Sequence, residues 1–190
     1  MTFQKSACIE PLYRELPFLD RFRAAKEDGF AFVEFWSWRD KDLDAVKAEA
    51  EAAGIGIAGF SGDAELSLID PVQREAYLAF LRRSVEAALK VGARSLTIHS
   101  NGLGEGGAVI DAYDRLSDTV KLCAMFDTLK ECAKLAEESG ILMNLEPLNV
   151  TTDHAGNFLR TTRMAVEMTR LIGSPAPLNF GYCTTCITCS

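Results

Sequence analysis

Gly140-Ile141-Leu142-Met143-Asn144-Leu145-Glu146-Pro147-Leu148-Asn149 is the stretch on which the reading of this 190-residue chain turns. A glycine free to adopt the left-handed conformation sits at the C′ position of many helices. The residues after it are apolar except for Asn144, as a strand buried on both faces should be. The strand then stops on a carboxylate. Burying Glu146 there is costly unless a cation or a hydrogen-bond partner compensates it.

The same order of signals recurs outward from this point. Gly29, Gly54 and Gly92 each follow a helix-like stretch and precede an apolar one, at residues 30–36, 55–60 and 94–99. Gly173 leads to a weaker start at Leu178, and an opening strand is expected near residues 4–9. Asp42 or Asp44 opens a helix rich in strong helix formers. Asp70-Pro71 reads as an N-cap followed by proline at the first helical position. The apolar residues Leu78, Leu81, Val85, Ala88 and Leu89, and then Leu122, Met125, Leu129, Ala133 and Ala136, recur at helical steps. Met164, Val166, Met168 and Leu171 suggest a further, less regular helix. Strands alternating with long helices imply parallel pairing through right-handed crossovers. That leaves an α/β fold, either a doubly wound sheet or a (β/α)8 barrel.

No Gly-x-Gly-x-x-Gly follows the first strand, which weakens the dinucleotide-binding alternative. Gly102, Gly104, Gly106 and Gly107 lack the Gly-Lys-Ser/Thr of a phosphate-binding loop and read as a mobile loop over a site. Polar residues collect where the strands finish: Glu34, Ser61 and Asp63, His99, Glu146 and Asn149. In a parallel barrel these ends open on one face, where the catalytic residues of such enzymes lie. Each residue also has a plainer reading. Glu34 could pair with a cation at the rim, His99 could be a satisfied core histidine, and Ser-Gly-Asp63 is an ordinary turn composition. His154 could be only part of a loop.

A net charge of −7 argues against sequence-independent nucleic-acid binding. No apolar run approaches the roughly 18 residues of a membrane span. The N-terminus shows no signal h-region, so a soluble, cytoplasmic protein is expected. Cys8, Cys123 and Cys132 read as small buried hydrophobes. Cys183, Cys186 and Cys189 have spacing that thiolate metal sites use, but no fourth ligand is evident nearby.

Asn144-Leu-Glu-Pro-Leu-Asn149, followed by Asp153-His154, resembles the fifth-strand segment of the xylose-isomerase-like TIM barrels, and within them the hydroxypyruvate isomerase and sugar isomerase/epimerase branch. Phe32-Val-Glu-Phe-Trp36 and Leu96-Thr-Ile-His-Ser100 fit its second and fourth strands. The resemblance implies a divalent metal, Mg²⁺ or Mn²⁺, held by a Glu, an Asp, a His and a Glu on strands five to eight. Glu146 matches the first; the other three are expected to be absent from this chain, so weak or no activity is expected of it and metal dependence of a full-length form. By the same resemblance Glu146 is both metal ligand and catalytic acid/base, His99 and Asn149 orient a small sugar or hydroxy-keto acid, and Glu34 supports the site from the rim. The implied activity is aldose–ketose interconversion through an enediolate, with hydroxypyruvate the leading substrate. A sugar epimerase, an inosose dehydratase and a non-catalytic fragment stand as alternatives. An apurinic endonuclease would need several histidine ligands and a basic groove, against which two histidines and the net charge of −7 argue.

At about 36 residues per unit between Gly29 and Gly173, eight units need more than this chain, since such barrels run to about 250 residues. The expected architecture is therefore an incomplete (β/α)8 TIM barrel of about five βα units plus the start of strand six. Residues 1–177 would form the partial barrel and residues 178–190 an aberrant Cys/Thr-rich tail. The tail can be encoded GGC TAC TGT ACG ACG TGT ATC ACA TGC AGC; read two bases on, that text gives Leu-Leu-Tyr-Asp-Val-Tyr-His-Met-Gln, the strand-six motif of the resembled family. A frameshift near Gly181 is the expectation, with the coding DNA as its test. An unclosed barrel would expose edge strands, which invites association with a partner or with a second copy.

Overall fold

The computed structural model describes residues 4–173. They form five successive βα units: β1 (Ser6–Cys8), α1 (Asp20–Glu27), β2 (Phe32–Phe35), α2 (Leu43–Ala53), β3 (Gly56–Ser61), α3 (Arg74–Val91), β4 (Ser95–Ile98), α4 (Asp118–Ser139), β5 (Leu142–Leu145) and α5 (Thr162–Ile172). The strands pair in parallel in the order β1-β2-β3-β4-β5, as in a TIM-type barrel. Leu178, the three tail cysteines and the proposed frame change lie outside the described residues.

Alternation along each strand separates two faces. Ala7, Ile9, Val33, Phe35, Ile57, Leu96, Ile98, Met143 and Leu145 are buried in one core with Phe22, Val46, Leu81, Val85, Met125 and Leu129 of the helices. Each of these side chains larger than alanine contributes roughly 1.5–3 kcal/mol by leaving water. Phe35 stacks on Phe60 at 5.1 Å and takes the edge of Phe18 at 5.7 Å. Consecutive helices touch one another, so they lie on one side of the sheet. The opposite face carries Cys8, Glu34, Ser61, Thr97 and Asn144, all half-buried. Ser61, Thr97 and Asn144 form one row across β3, β4 and β5.

The helix ends follow the local signals with some shifts. The Asp42 carboxylate accepts from the backbone N–H groups of Asp44 and Ala45, which settles Asp42 as the cap of α2. Asp70 does not cap α3, which begins at Arg74. Its carboxylate accepts from Val72 N–H at 3.0 Å and closes a turn that precedes the helix. Leu89 and Leu122 fall outside the buried stripes and are exposed, while Ala88 and Met125 take the inward positions. Cys132 is buried as expected, whereas Cys123 is exposed and Cys8 half-buried on the sheet face away from the helices. Among the described residues no helix is long and apolar enough to cross a membrane.

Candidate functional site

Pairing of β4 with β5 brings Ile98 beside Leu145, both buried among the helices. The next residue on each strand turns to the other face, so His99 and Glu146 become neighbours. The amide of Glu146 continues the ladder by donating to Ile98 O at 3.0 Å. His99 Nε2 lies 3.2 Å from Glu146 Oε2. On its other side, His99 Nδ1 lies 3.0 Å from Asp63 Oδ1, and the backbone N–H of His99 donates to Asp63 Oδ2. The phenol of Tyr77, from α3, also donates to Asp63 Oδ2 at 3.2 Å.

The result is a carboxylate–imidazole–carboxylate chain running from the end of β3 to the end of β5. Its exposure is graded: the Asp63 side chain is 4% exposed, His99 7% and Glu146 20%. Two buried carboxylates without a cation would repel each other and lack solvation. His99 answers both. Burial opposes a charge on its ring, but the charge and hydrogen bond of Asp63, joined by those of Glu146, outweigh it and push its pKa from 6.5 up to about 10. At neutral pH the ring therefore holds two protons and donates on both sides. Burial and then the Asp63 charge hold the Tyr77 phenol neutral, well above its ordinary pKa. Burial likewise raises the thiol of Cys132, the more so for the nearby Asp63 charge, so it is no nucleophile.

A second, uncharged network fixes the loops around this chain. Ser100 Oγ–H is shared between Asn101 Oδ1 and Asn157 Oδ1 at 2.9 and 3.1 Å, while Ser100 Oγ accepts from Leu159 N–H at 3.0 Å. Asn101 Oδ1 accepts from Phe158 N–H at 2.8 Å, and Asn157 Nδ2 donates to Leu159 O at 2.8 Å. Ser67, from the loop after β3, donates to Ser100 O at 2.9 Å. Leu148 N–H closes the loop after β5 by donating to Leu159 O at 3.1 Å. The residues directly after His99 are thus tied to the loop that begins at Glu146. Fully satisfied buried networks of this kind hold one arrangement in place.

The glycine-rich loop, expected to be mobile, is tied down as well. Leu103 bridges Val109, Gly102 packs against the backbone of Glu65, and His154 Nδ1 donates to Gly107 O at 2.7 Å. His154 thus has a loop-fastening role.

The structure does not bring all four expected site residues together. Glu34 lies on the same sheet face, but its register partner Gly59 aligns with Ser95 and Leu142, four residues before Glu146. No hydrogen bond or ion pair joins Glu34 to His99 or Glu146 among the described residues. Asn149 is exposed, and its Oδ1 accepts from the N–H and hydroxyl of Thr151 at 2.9 and 2.7 Å, closing a local turn. Asp63, with Tyr77 behind it, joins the site although Ser-Gly-Asp63 reads locally as a turn. Its one signal was position, since it follows an apolar strand as His99 and Glu146 do. A cavity of about 290 Å³ opens between α4 and the loop after β5, bounded by Lys121, Asn157, Phe158 and Arg160, but none of the three chain members lines it.

A family model described as xylose isomerase-like TIM barrel matches residues 22–184. Among solved structures, an AP endonuclease of family 2 from Brucella melitensis superposes with a TM-score of 0.78 at 22% identity, over 92% of this chain and 66% of that one. The 3-keto-D-glucoside 4-epimerase of E. coli gives 0.72 at 20% identity, over 92% and 66%. The D-psicose 3-epimerase of Clostridium cellulolyticum gives 0.71 at 20%, over 90% and 60%. The chain thus spans less than two thirds of the length of these structures, and the likeness is one of fold. No curated protein matches the sequence.

Proposed function

Because the chain belongs to the xylose isomerase-like TIM-barrel family, we propose that it takes part in enediolate chemistry on a small sugar or hydroxy-keto acid, with Glu146 as the proton-transferring base. The observation that carries this reading is the 3.2 Å contact between Glu146 Oε2 and His99 Nε2 at the finishing ends of β5 and β4. It occupies one carboxylate oxygen and leaves Oε1, without a partner among the described residues, to act on a substrate.

In that role Glu146 Oε1 takes the proton from the hydroxyl-bearing carbon beside a carbonyl. The C–H electron pair becomes the enediolate double bond, and the carbonyl oxygen takes the negative charge. Return of the proton to the neighbouring carbon, with the hydroxyl proton passing to the former carbonyl oxygen, gives the aldose–ketose isomer; the epimer requires a proton delivered to the other face of the same carbon by a second acid. His99 holds Glu146 Oε2 through the 3.2 Å contact and so orients Oε1 toward the proton it takes. A base positioned in this way contributes about 10²- to 10⁴-fold in rate.

A divalent cation, Mg²⁺ or Mn²⁺, fits the site as far as one donor: Glu146 presents a hard carboxylate oxygen. Among the described residues no group of three or more His, Cys, Asp or Glu side chains completes a cage around it. When bound, such a cation polarises the substrate carbonyl and stabilises the developing oxyanion. Hydroxypyruvate is the leading substrate, with ketohexoses as the epimerase alternative.

The test is turnover of hydroxypyruvate and of a ketohexose in the presence of Mn²⁺. Glu146→Gln is expected to lose about 10³-fold in rate. Turnover by this partial barrel is expected to be weak, and equal rates in wild type and variant contradict the assignment.

A further inference from the structure

Asp63 makes an unusual set of contacts for a residue outside the family-matched strand-five motif. Its two oxygens grip one residue twice, Oδ2 at the backbone N–H of His99 and Oδ1 at ring Nδ1, 3.0 Å away. Tyr77 donates to Oδ2 from behind at 3.2 Å. A carboxylate only accepts, so the hydrogen of this contact sits on Nδ1. Holding backbone and ring of the same residue together closes a small chelate, which fixes the side-chain torsions of His99. Turning the ring over by 180° would place a C–H against Asp63 and another against Glu146, and both contacts would be lost.

We propose that Asp63 is a positioning residue that locks the His99 ring in the one orientation presenting Nε2 to Glu146 Oε2, and so decides which oxygen of Glu146 faces the substrate. This rests on the reading of Glu146 as the base. Asp63 itself, 4% exposed against 7% for His99 and 20% for Glu146, is the most buried of the three and acts through His99. Tyr77 completes the arrangement by anchoring Asp63 to α3, so the orientation of the base is set through a core helix.

The sequence holds two histidines, which makes the lock directly readable. In the 190-residue protein labelled with ¹⁵N-histidine at one fixed pH, His154→Gln assigns the ring signals by removing those of His154. The lock predicts a His99 Nδ1–H protected from solvent exchange. The backbone and ring hydrogens meet different oxygens of Asp63, and Asp63→Asn keeps an acceptor at only one of those two positions. It is expected to exchange that proton at least about tenfold faster, with the dispersion of the backbone spectrum retained. An unchanged exchange rate in Asp63→Asn, or a wild type whose protected ring proton is on Nε2 alone, overturns the proposal. If Asp63→Asn does not keep its fold, the same rate is read in Tyr77→Phe, which removes one anchor of Asp63 without touching His99. Faster exchange there supports the lock and a wild-type rate overturns it. Turnover of Glu146→Gln tests the underlying reading separately, because the ring proton is measured without substrate.

Discussion

Where the strands begin, Gly92 ends α3 with φ of 72° and nothing stands within 4 Å of where a Cβ would be. Where they finish, Gly102 follows the His99 segment, and a Cβ on it would collide with the backbone of Glu65. The first glycine answers a local need, reversing the chain after a helix. The second answers a distant one, since the loops after β3 and β4 must touch. The contrast extends to the side chains. Turns entering the strands are short and closed by backbone hydrogen bonds, such as Ala93 N–H to Ala88 O at 2.9 Å. Loops leaving them are long and held by side chains from other loops. One end of the sheet is thus assembled by neighbours in sequence and the other by neighbours in space, and the candidate site lies at the second.

Substitutions at the two ends should therefore differ in size. Gly102→Ala has to displace backbone and is expected to lower stability by about 3 kcal/mol in urea unfolding; a change under about 1 kcal/mol would mean the loops are not in register as described. Asn157→Ala removes two buried hydrogen bonds, from Ser100 Oγ–H and to Leu159 O, at about 1 kcal/mol each, while Ser100 keeps Asn101 and Leu159 O keeps Leu148 N–H. Its loop after β5 should become cleavable in limited proteolysis before the turns at the opposite end do.

His99 adds a pH-dependent difference. Its folded-state pKa of about 10 lies above the ordinary 6.5, so the proton on its ring favours the folded state. That contribution is whole below pH 6.5 and is lost as pH rises through about 10. The stability margin of the wild type over His99→Gln should shrink across this interval; a margin that grows contradicts the charge arrangement. The smallest effect belongs to the opening end, where Gly92→Ala meets open space and only the left-handed backbone resists it, at about 1 kcal/mol. A loss there equal to that at Gly102 would erase the distinction between the two ends.

The same division explains what the sequence disclosed. The βα alternation was legible because a C′ glycine, an apolar strand and an amphipathic helix are local patterns. Glu146 and His99 were legible because each ends an apolar strand with an ionisable group. Asp63 looked like a turn because Ser-Gly-Asp is turn-like locally, while its partners Tyr77 and His99 stand 14 and 36 residues away. Asn149 shows the reverse side of locality: its motif suggests a substrate contact, while its Oδ1 closes a turn on Thr151 two residues on. Asp70 fits both patterns, since Asp-Pro marks a chain reversal correctly but the helix starts a turn later.

The central claim is that Glu146 moves a proton at the carbon beside a substrate carbonyl. It is tested most directly by incubating the protein with hydroxypyruvate or a ketohexose and Mn²⁺ in D₂O, and following deuterium entry at that carbon by mass spectrometry. The account predicts deuterium incorporation by the wild type and none above background by Glu146→Gln. Incorporation at the same rate in both proteins, or in neither, would contradict it.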